Sequence, residues 1–203
     1  HQGTPPSPGQ AEKQPLVLPI AVALVGEQGR IGDEQLLVMN AEKASFTLQA
    51  EPGPEAPALS LLRRFSAPVN VQLEQPLQES LQLLAHDDDP FSRWDAGQRL
   101  ARQVLLARAA DQPDATVETA LISALRQRLS AYGGSGGQDL AILLALPGTA
   151  ELEALQNPVD PLALYAARRE WIADLGRHLS EPLHRLLERC RGDWAQAWPE
   201  GQG

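Results

Sequence analysis

Cysteine is almost missing from this chain, and Cys190 is the only one. A single thiol excludes an internal disulfide and fits a reducing compartment, so a cytoplasmic location is expected. Aromatic residues are also scarce, at 4% of the chain. A core drawn from its 43% hydrophobic content must therefore be mainly Leu, Ala and Val. Basic residues are in deficit: 17 Lys and Arg stand against 26 Asp and Glu, for a net charge of −9. No nucleic-acid partner is expected, because phosphate binding needs a clustered basic face. No membrane partner is expected either, since docking on anionic lipid needs the same sign of charge. The longest apolar run, residues 16–25, falls well short of the roughly 20 residues that span a bilayer and is interrupted by Pro19. The opening residues are polar and Pro-rich, without the basic start and apolar stretch of a signal peptide. The first residue is His, so a start inside a longer protein is expected.

Catalytic constellations are missing as well. There is no H-E-x-x-H, which places two imidazoles on one helix face for zinc. His178 and His184 are six residues apart, about 240° around a helix, and cannot share a face. Glu181 and His184 form a single E-x-x-H, where a di-iron bundle needs two plus further carboxylates. His86, Asp87, Asp88 and Asp89 could suggest a cation loop, but the run ends a helix and meets Pro90, which reads as a solvated helix end. Cys190 lies between Arg189 and Arg191 with no nearby histidine to act as a base, so a spectator thiol is expected. The glycines at 133, 134, 136 and 137 lack the lysine of a phosphate loop and read as a linker. No serine sits in a G-x-S-x-G elbow. The site assignment is therefore none: no catalytic, cofactor-binding or metal-binding residue.

What the chain does contain is a change of character near Gln75. Before it, short apolar runs are broken by turn formers; after it, apolar residues recur at helical spacing. This segregated order predicts an α+β chain with a β domain over 1–75 and a helical domain over 76–203. Strands are expected at 16–25, 36–40, 45–49, 59–65 and 68–74, with a turn at Glu27, Gln28 and Gly29. Pro19 should lie at an edge or bulge, because it cannot donate to a central ladder. The cleanest alternation is Val69, Val71 and Leu73 against Asn70, Gln72 and Glu74. About five strands fall short of the seven or so of an immunoglobulin-like sandwich, so the domain is expected to be cut at its N-terminus. An open strand edge that invites self-association should result.

Helices are expected from Pro76 to about 87, and from about Ser92 to 109 with Trp94, Gly97, Ala101, Val104, Leu105 and Arg108 on one stripe. Thr116 should cap the third helix. Short helices are expected at 138–146 and 149–156. Asp160 and Pro161 open a long helix that Pro182 should kink or restart, ending near 191 and leaving 193–203 as a frayed tail. Trp94 and Trp171 fit as core anchors, and Trp194 and Trp198 fit a surface. Arg63 and Arg64 end a strand and should contact the helical part, while Arg168, Arg169 and Glu170 read as an exposed helix face. Short connections favour antiparallel, helical-repeat-like pairing.

Several blocks resemble bacterial aminopeptidase N, the zinc alanyl aminopeptidase of the thermolysin-like gluzincin group. They are Thr4-Pro5-Pro6-Ser7-Pro8-Gly9-Gln10 with Lys13-Gln14-Pro15-Leu16-Val17-Leu18-Pro19, then Arg64-Phe65-Ser66-Ala67-Pro68-Val69, and then Asp87-Asp88-Asp89-Pro90-Phe91-Ser92-Arg93-Trp94-Asp95-Ala96-Gly97-Gln98. The resemblance implies most of a small β-sandwich domain and the first helices of a C-terminal helical domain. It implies zinc and peptide substrates for the parent enzyme, but no cofactor in this chain, whose partners would be the remaining domains. A free-standing interaction module with the same domains, and an independent metal protein using His178, Glu181 and His184, are the competing readings.

Overall fold

The computed structural model describes residues 1–3, 8–9, 14–49, 56–69, 71–132 and 137–197, with side chains as far as residue 191. The chain forms two compact units, His1–Arg93 and Trp94–Gly203.

The first unit holds a three-stranded antiparallel sheet in the order β2-β1-β3, with β1 at Leu18–Gly26, β2 at Gly29–Met39 and β3 at Ala58–Leu61. Glu27 and Gln28 form the turn of the β1–β2 hairpin, and Gly29 follows it at φ 107°, where a side chain would be strained. Pro19 lies in the central strand, opposite Val38, yet β3 pairs only with Val22–Val25. The side of β1 left open there is the one Ala21 N uses to donate to Ser66 Oγ at 2.9 Å. Successive amides alternate sides, so the nitrogen of Pro19 points the same way and takes no ladder bond from β2. A bulge follows between Val22 and Leu24.

Strand expectations are corrected at four places. β2 is 11 residues long and not five, because the tight turn pairs Gly29–Ile31 with Leu24–Gly26 and the ladder resumes at Gln35, across an irregular polar stretch at Gly32, Asp33 and Glu34 that has no apolar alternation. Residues 45–49 carry no strand. The expected 59–65 strand stops at Leu61, and a 3-10 turn at Arg63–Phe65 follows. The alternating stretch 68–74 pairs with nothing among the described residues, and Asn70 lies outside them. Alternation marks a pleated surface but does not supply the neighbour that a strand needs.

Helix α1, Leu77–His86, packs on β3 and β1 through Leu83 and Leu84, both fully buried. Pro76 stands just before it as the N-cap, so its missing N–H costs nothing. Gln82 ties this helix to the sheet by donating to the Val25 carbonyl at 2.8 Å. The composition turns helical at 76, but the first unit extends to Arg93 because α1 packs against the strands. Helix α2, Pro90–Ala109, begins two residues earlier than the expected Ser92. Asp89 caps it, accepting from Ser92 N at 3.0 Å, and Pro90 takes the first helical position.

The second unit contains the rest of α2, then α3 (Ala115–Ser130), α4 (Gly137–Leu143), α5 (Thr149–Glu153) and α6 (Pro161–Ala197). Val117, Leu121, Leu125 and Leu129 line the inner face of α3, as their spacing requires. Asp114, not Thr116, is its cap; Asp114 Oδ1 accepts from Thr116 N at 2.9 Å and Val117 N at 3.2 Å. Helices α4 and α5 each stop three residues short of the expected end. Gly133–Gly136 and Trp198 lie outside the described residues, as does the Trp194 side chain. Trp171 is fully buried and Trp94 half-buried.

Helix α6 runs through Pro182 and continues to Ala197, past the expected end near 191. Pro182 has no N–H to give the His178 carbonyl four residues back. Arg126 Nη2 from α3 donates to that carbonyl at 2.8 Å, which closes the gap without a break.

Replacing Asp114 by Ala should cost ~1 kcal/mol of stability through loss of the α3 cap. Leu105→Ala, at a fully buried position of α2, should cost about 2–5 kcal/mol. Urea denaturation of both variants checks the ranking; equal losses would contradict it.

Candidate functional site

The densest polar cluster in the first unit forms around the turn after β3. Leu62, Arg64 and Phe65 all hold positive φ, at 55°, 53° and 55°. For a non-glycine residue each such conformation costs on the order of 1–2 kcal/mol. Something must hold the turn, and the sequence supplies it 25 residues later. Arg63 is only 3% exposed. Its Nη1 donates to Asp87 Oδ1 at 2.6 Å and to Ser60 Oγ at 3.0 Å, its Nε donates to Glu34 Oε2 at 2.8 Å, and its Nη2 pairs with Asp88. Asp89 Oδ2 accepts from the strained Arg64 amide at 3.1 Å while it also caps α2. Arg64 forks onto Glu34, and Arg30 Nε donates to Asp88 Oδ2 at 2.9 Å. The Phe65 and Phe91 rings pack with centroids 5.4 Å apart.

This corrects the reading of Asp87, Asp88 and Asp89 as a solvated helix end. Asp87 and Asp89 are buried at 2% and 4% exposure. The expectation that Arg63 and Arg64 contact the helices holds within this unit, where Arg63 meets the α1–α2 junction. Glu34 was invisible to sequence reasoning: nothing local links an acid in a polar hairpin to an arginine 29 residues on.

Charge shifts follow from these pairs. Burial pushes the Asp88 carboxyl up, but Arg63 and Arg30 outweigh it and hold it down at about 2. Arg64 is the main cause holding Glu34 below the usual carboxylate range, against burial and with help from Arg63. Burial would lower the Arg63 guanidinium, yet Glu34, Asp88 and Asp87 together raise it. The acids of the run are thus matched by arginines, and their chemistry is that of an ion-pair network.

In the second unit, Arg108 ends the α2 stripe and was expected there as a stripe position only. It makes a fork onto Glu118, with Nε to Oε1 at 2.7 Å and Nη2 to Oε2 at 2.8 Å. Its Nη2 also lies 2.7 Å from Asp174 Oδ2, and its Cζ stands 4.9 Å above the Trp171 ring. Glu118 is the largest cause of its raised pKa. These residues, with Arg126 and His178, line an open cleft of about 330 Å³.

Among the described residues, no three His, Cys, Asp or Glu side chains converge in a way that could hold a metal ion. Glu181 and His184 are both exposed, and Glu181 pairs with Arg185. Cys190 is exposed. These residues do not fit a zinc centre.

Arg63→Met should destabilise the chain by about 3–5 kcal/mol, because it strands the Asp87 charge in the interior. Adding Asp87→Asn should recover part of that loss, and a double-mutant cycle in urea measures the coupling. The pH dependence has a definite sign. Asp88 and Glu34 titrate lower when folded than at their ordinary values of 3.8 and 4.5. Their contribution is complete above those values and disappears as pH falls toward about 2. The denaturation midpoint should drop over that window, and less steeply in Arg63→Met; parallel pH profiles would contradict the assignment.

Comparison with known proteins places this geometry. Residues 1–74 match a domain of unknown function with an Ig-like fold (DUF3458), and residues 77–200 match a domain of unknown function with ARM repeats (DUF3458_C). The chain is 39% identical over 166 residues to aminopeptidase N of Caulobacter vibrioides, covering 82% of this chain and 19% of that one. It is 31% identical over 190 residues to aminopeptidase N of Escherichia coli, covering 90% and 22%. A crystal structure of Legionella pneumophila aminopeptidase A in complex with aspartic acid matches with a TM-score of 0.70 at 27% identity, covering 86% of this chain and 20% of that one. The chain thus spans about a fifth of the length of the relatives it matches. With its Ig-like part followed by ARM-type helices, it belongs to the DUF3458 and DUF3458_C family and corresponds to one stretch of the aminopeptidase N chains.

Proposed function

We propose that this chain is a non-catalytic structural segment of a zinc-dependent aminopeptidase that removes N-terminal residues from peptides. The single observation that carries this reading is the 39% identity to aminopeptidase N over an alignment of 166 residues. The arginine clusters support it. A catalytic centre keeps groups available for substrate, whereas Arg63 and Arg108 are each matched by carboxylates of the chain itself. On this reading zinc and the groups that activate water lie in other parts of the parent. The sandwich braces those parts, and the helices begin a cap around the peptide. The parent works in the cytoplasm, and its remaining domains are the partners of this segment.

A free-standing interaction module is the second reading. It is favoured by Leu36 and Val38, exposed on the edge strand β2. An edge of that kind accepts a further strand, from the parent or from a second copy.

The purified chain should give only background turnover on an alanyl chromogenic substrate with added zinc. Sustained zinc-dependent cleavage would overturn the non-catalytic reading. Sequencing the surrounding gene separates the two readings, since an upstream H-E-x-x-H in the same frame supports the segment and a start codon immediately before the His1 codon supports the module.

A further inference from the structure

The polar groups lining the cleft of about 330 Å³ in the second unit fall into two sets, those already engaged and those not. Thr119, Ile122, Ser123 and Arg126 stand at i, i+3, i+4 and i+7 on α3, so they share one helix face. Trp171, Asp174 and His178 stand at i, i+3 and i+7 on α6 and share another. The two carboxylates are engaged. Glu118 takes the Arg108 fork with both oxygens, and Asp174 takes Arg108 on one oxygen and Arg177 on the other. The donors are not. Arg126 gives Nη2 to the His178 carbonyl at 2.8 Å and meets no carboxylate among the described residues. The Thr119 and Ser123 hydroxyls and the His178 ring hold no hydrogen bond among those residues. Trp171 is fully buried, and its Nε1 has no acceptor; a buried N–H in that state is costly. With Arg177 included, three guanidiniums stand against two carboxylates, a local positive excess in a chain of net charge −9.

We infer that this cleft binds a small organic oxyanion, a carboxylate or a phosphate monoester, seated on Arg126 and the Thr119 and Ser123 hydroxyls with a short apolar part against Ile122. The unengaged groups select that class. A guanidinium only donates, hydroxyls and an imidazole can donate, and an oxyanion offers several acceptor oxygens at once. The remaining N–H groups of a planar fork suit the oxygens of either a carboxylate or a phosphate. Glu118 and Asp174 are neutralised by arginines, so they neither repel an anion nor remain available to hold a cation. The volume lies at the small end of the ~300–1,000 Å³ range of small-molecule sites. The site rests on α2, α3 and α6 alone and is independent of whether the parent is a peptidase.

Isothermal titration of the full chain at fixed ionic strength tests this with three probes: N-acetylleucine, butyl phosphate and the neutral N-acetylleucinamide. Saturable one-to-one binding is expected for at least one of the two anions and none for the amide; which anion binds tells carboxylate from phosphate. Ser123→Asp sets a carboxylate in the cleft and should weaken binding roughly tenfold or more through like-charge repulsion. Ser123 is exposed, so the melting temperature should stay within a few degrees. Gln138→Glu makes the same change in net charge at an exposed position of α4 outside the cleft lining, and should leave binding as it was. Saturable binding of neither anion, equal binding of the amide, or undiminished binding to Ser123→Asp would overturn the inference. So would equal weakening by Ser123→Asp and Gln138→Glu, since net charge alone would then attract the anion.

Discussion

The first unit depends on one buried guanidinium. Arginine cannot shed its proton in a protein interior, so Arg63 must be met by carboxylates or stay out of the core. It is met from two sides: Glu34 arrives on the β1–β2 hairpin, and Asp87 and Asp88 arrive at the end of α1. Asp89 then binds the Arg64 amide and caps α2. The left-handed residues at 62, 64 and 65 are the conformational cost of presenting Arg63 inward. The ion pairs and amide contacts around them are what hold that conformation. Sheet edge, strained turn and helix start are therefore one cooperative structure.

The same device recurs in the second unit with different parts. Arg108 joins α2, α3 and α6 through Glu118, Asp174 and the Trp171 ring. Arg126 takes the carbonyl that Pro182 leaves open, and Arg168 Nη1 donates to the Pro147 carbonyl at 2.6 Å ahead of α5. Only two of the 17 basic residues are lysine, Lys13 and Lys43. A planar fork with several donors can serve two acceptors in fixed directions, which an ammonium group does poorly. The acidic balance of the chain thus hides an interior in which arginine is the connecting element.

Helices were easier to read than strands. A helix closes its hydrogen bonds within four residues, so apolar spacing, Asp160-Pro161 and the break at Pro147-Gly148 sufficed to locate α3, α5 and the start of α6 to within a few residues. Strands close their bonds with distant segments. Val69, Val71 and Leu73 had the right alternation and no strand partner among the described residues, whereas Gly29–Ile31 had a partner across a tight turn without apolar alternation. The acidic run shows the same limit for the candidate site. Its composition was plain, but its burial depended on Arg63, 24 residues away.

What the sequence determined by itself is the order of a strand-rich part before a helical one, the helix periods, and the lack of any local zinc or nucleophile motif. These are local or countable properties. The tertiary structure alone decided that Asp87 and Asp89 are buried ion-pair and capping groups, that Glu34 and Glu118 belong to arginine clusters, and that α6 passes through Pro182 with Arg126 meeting the carbonyl left open. Each of these is a meeting of residues far apart in the chain, and a buried charge or an open carbonyl is settled by whichever distant donor the fold brings to it.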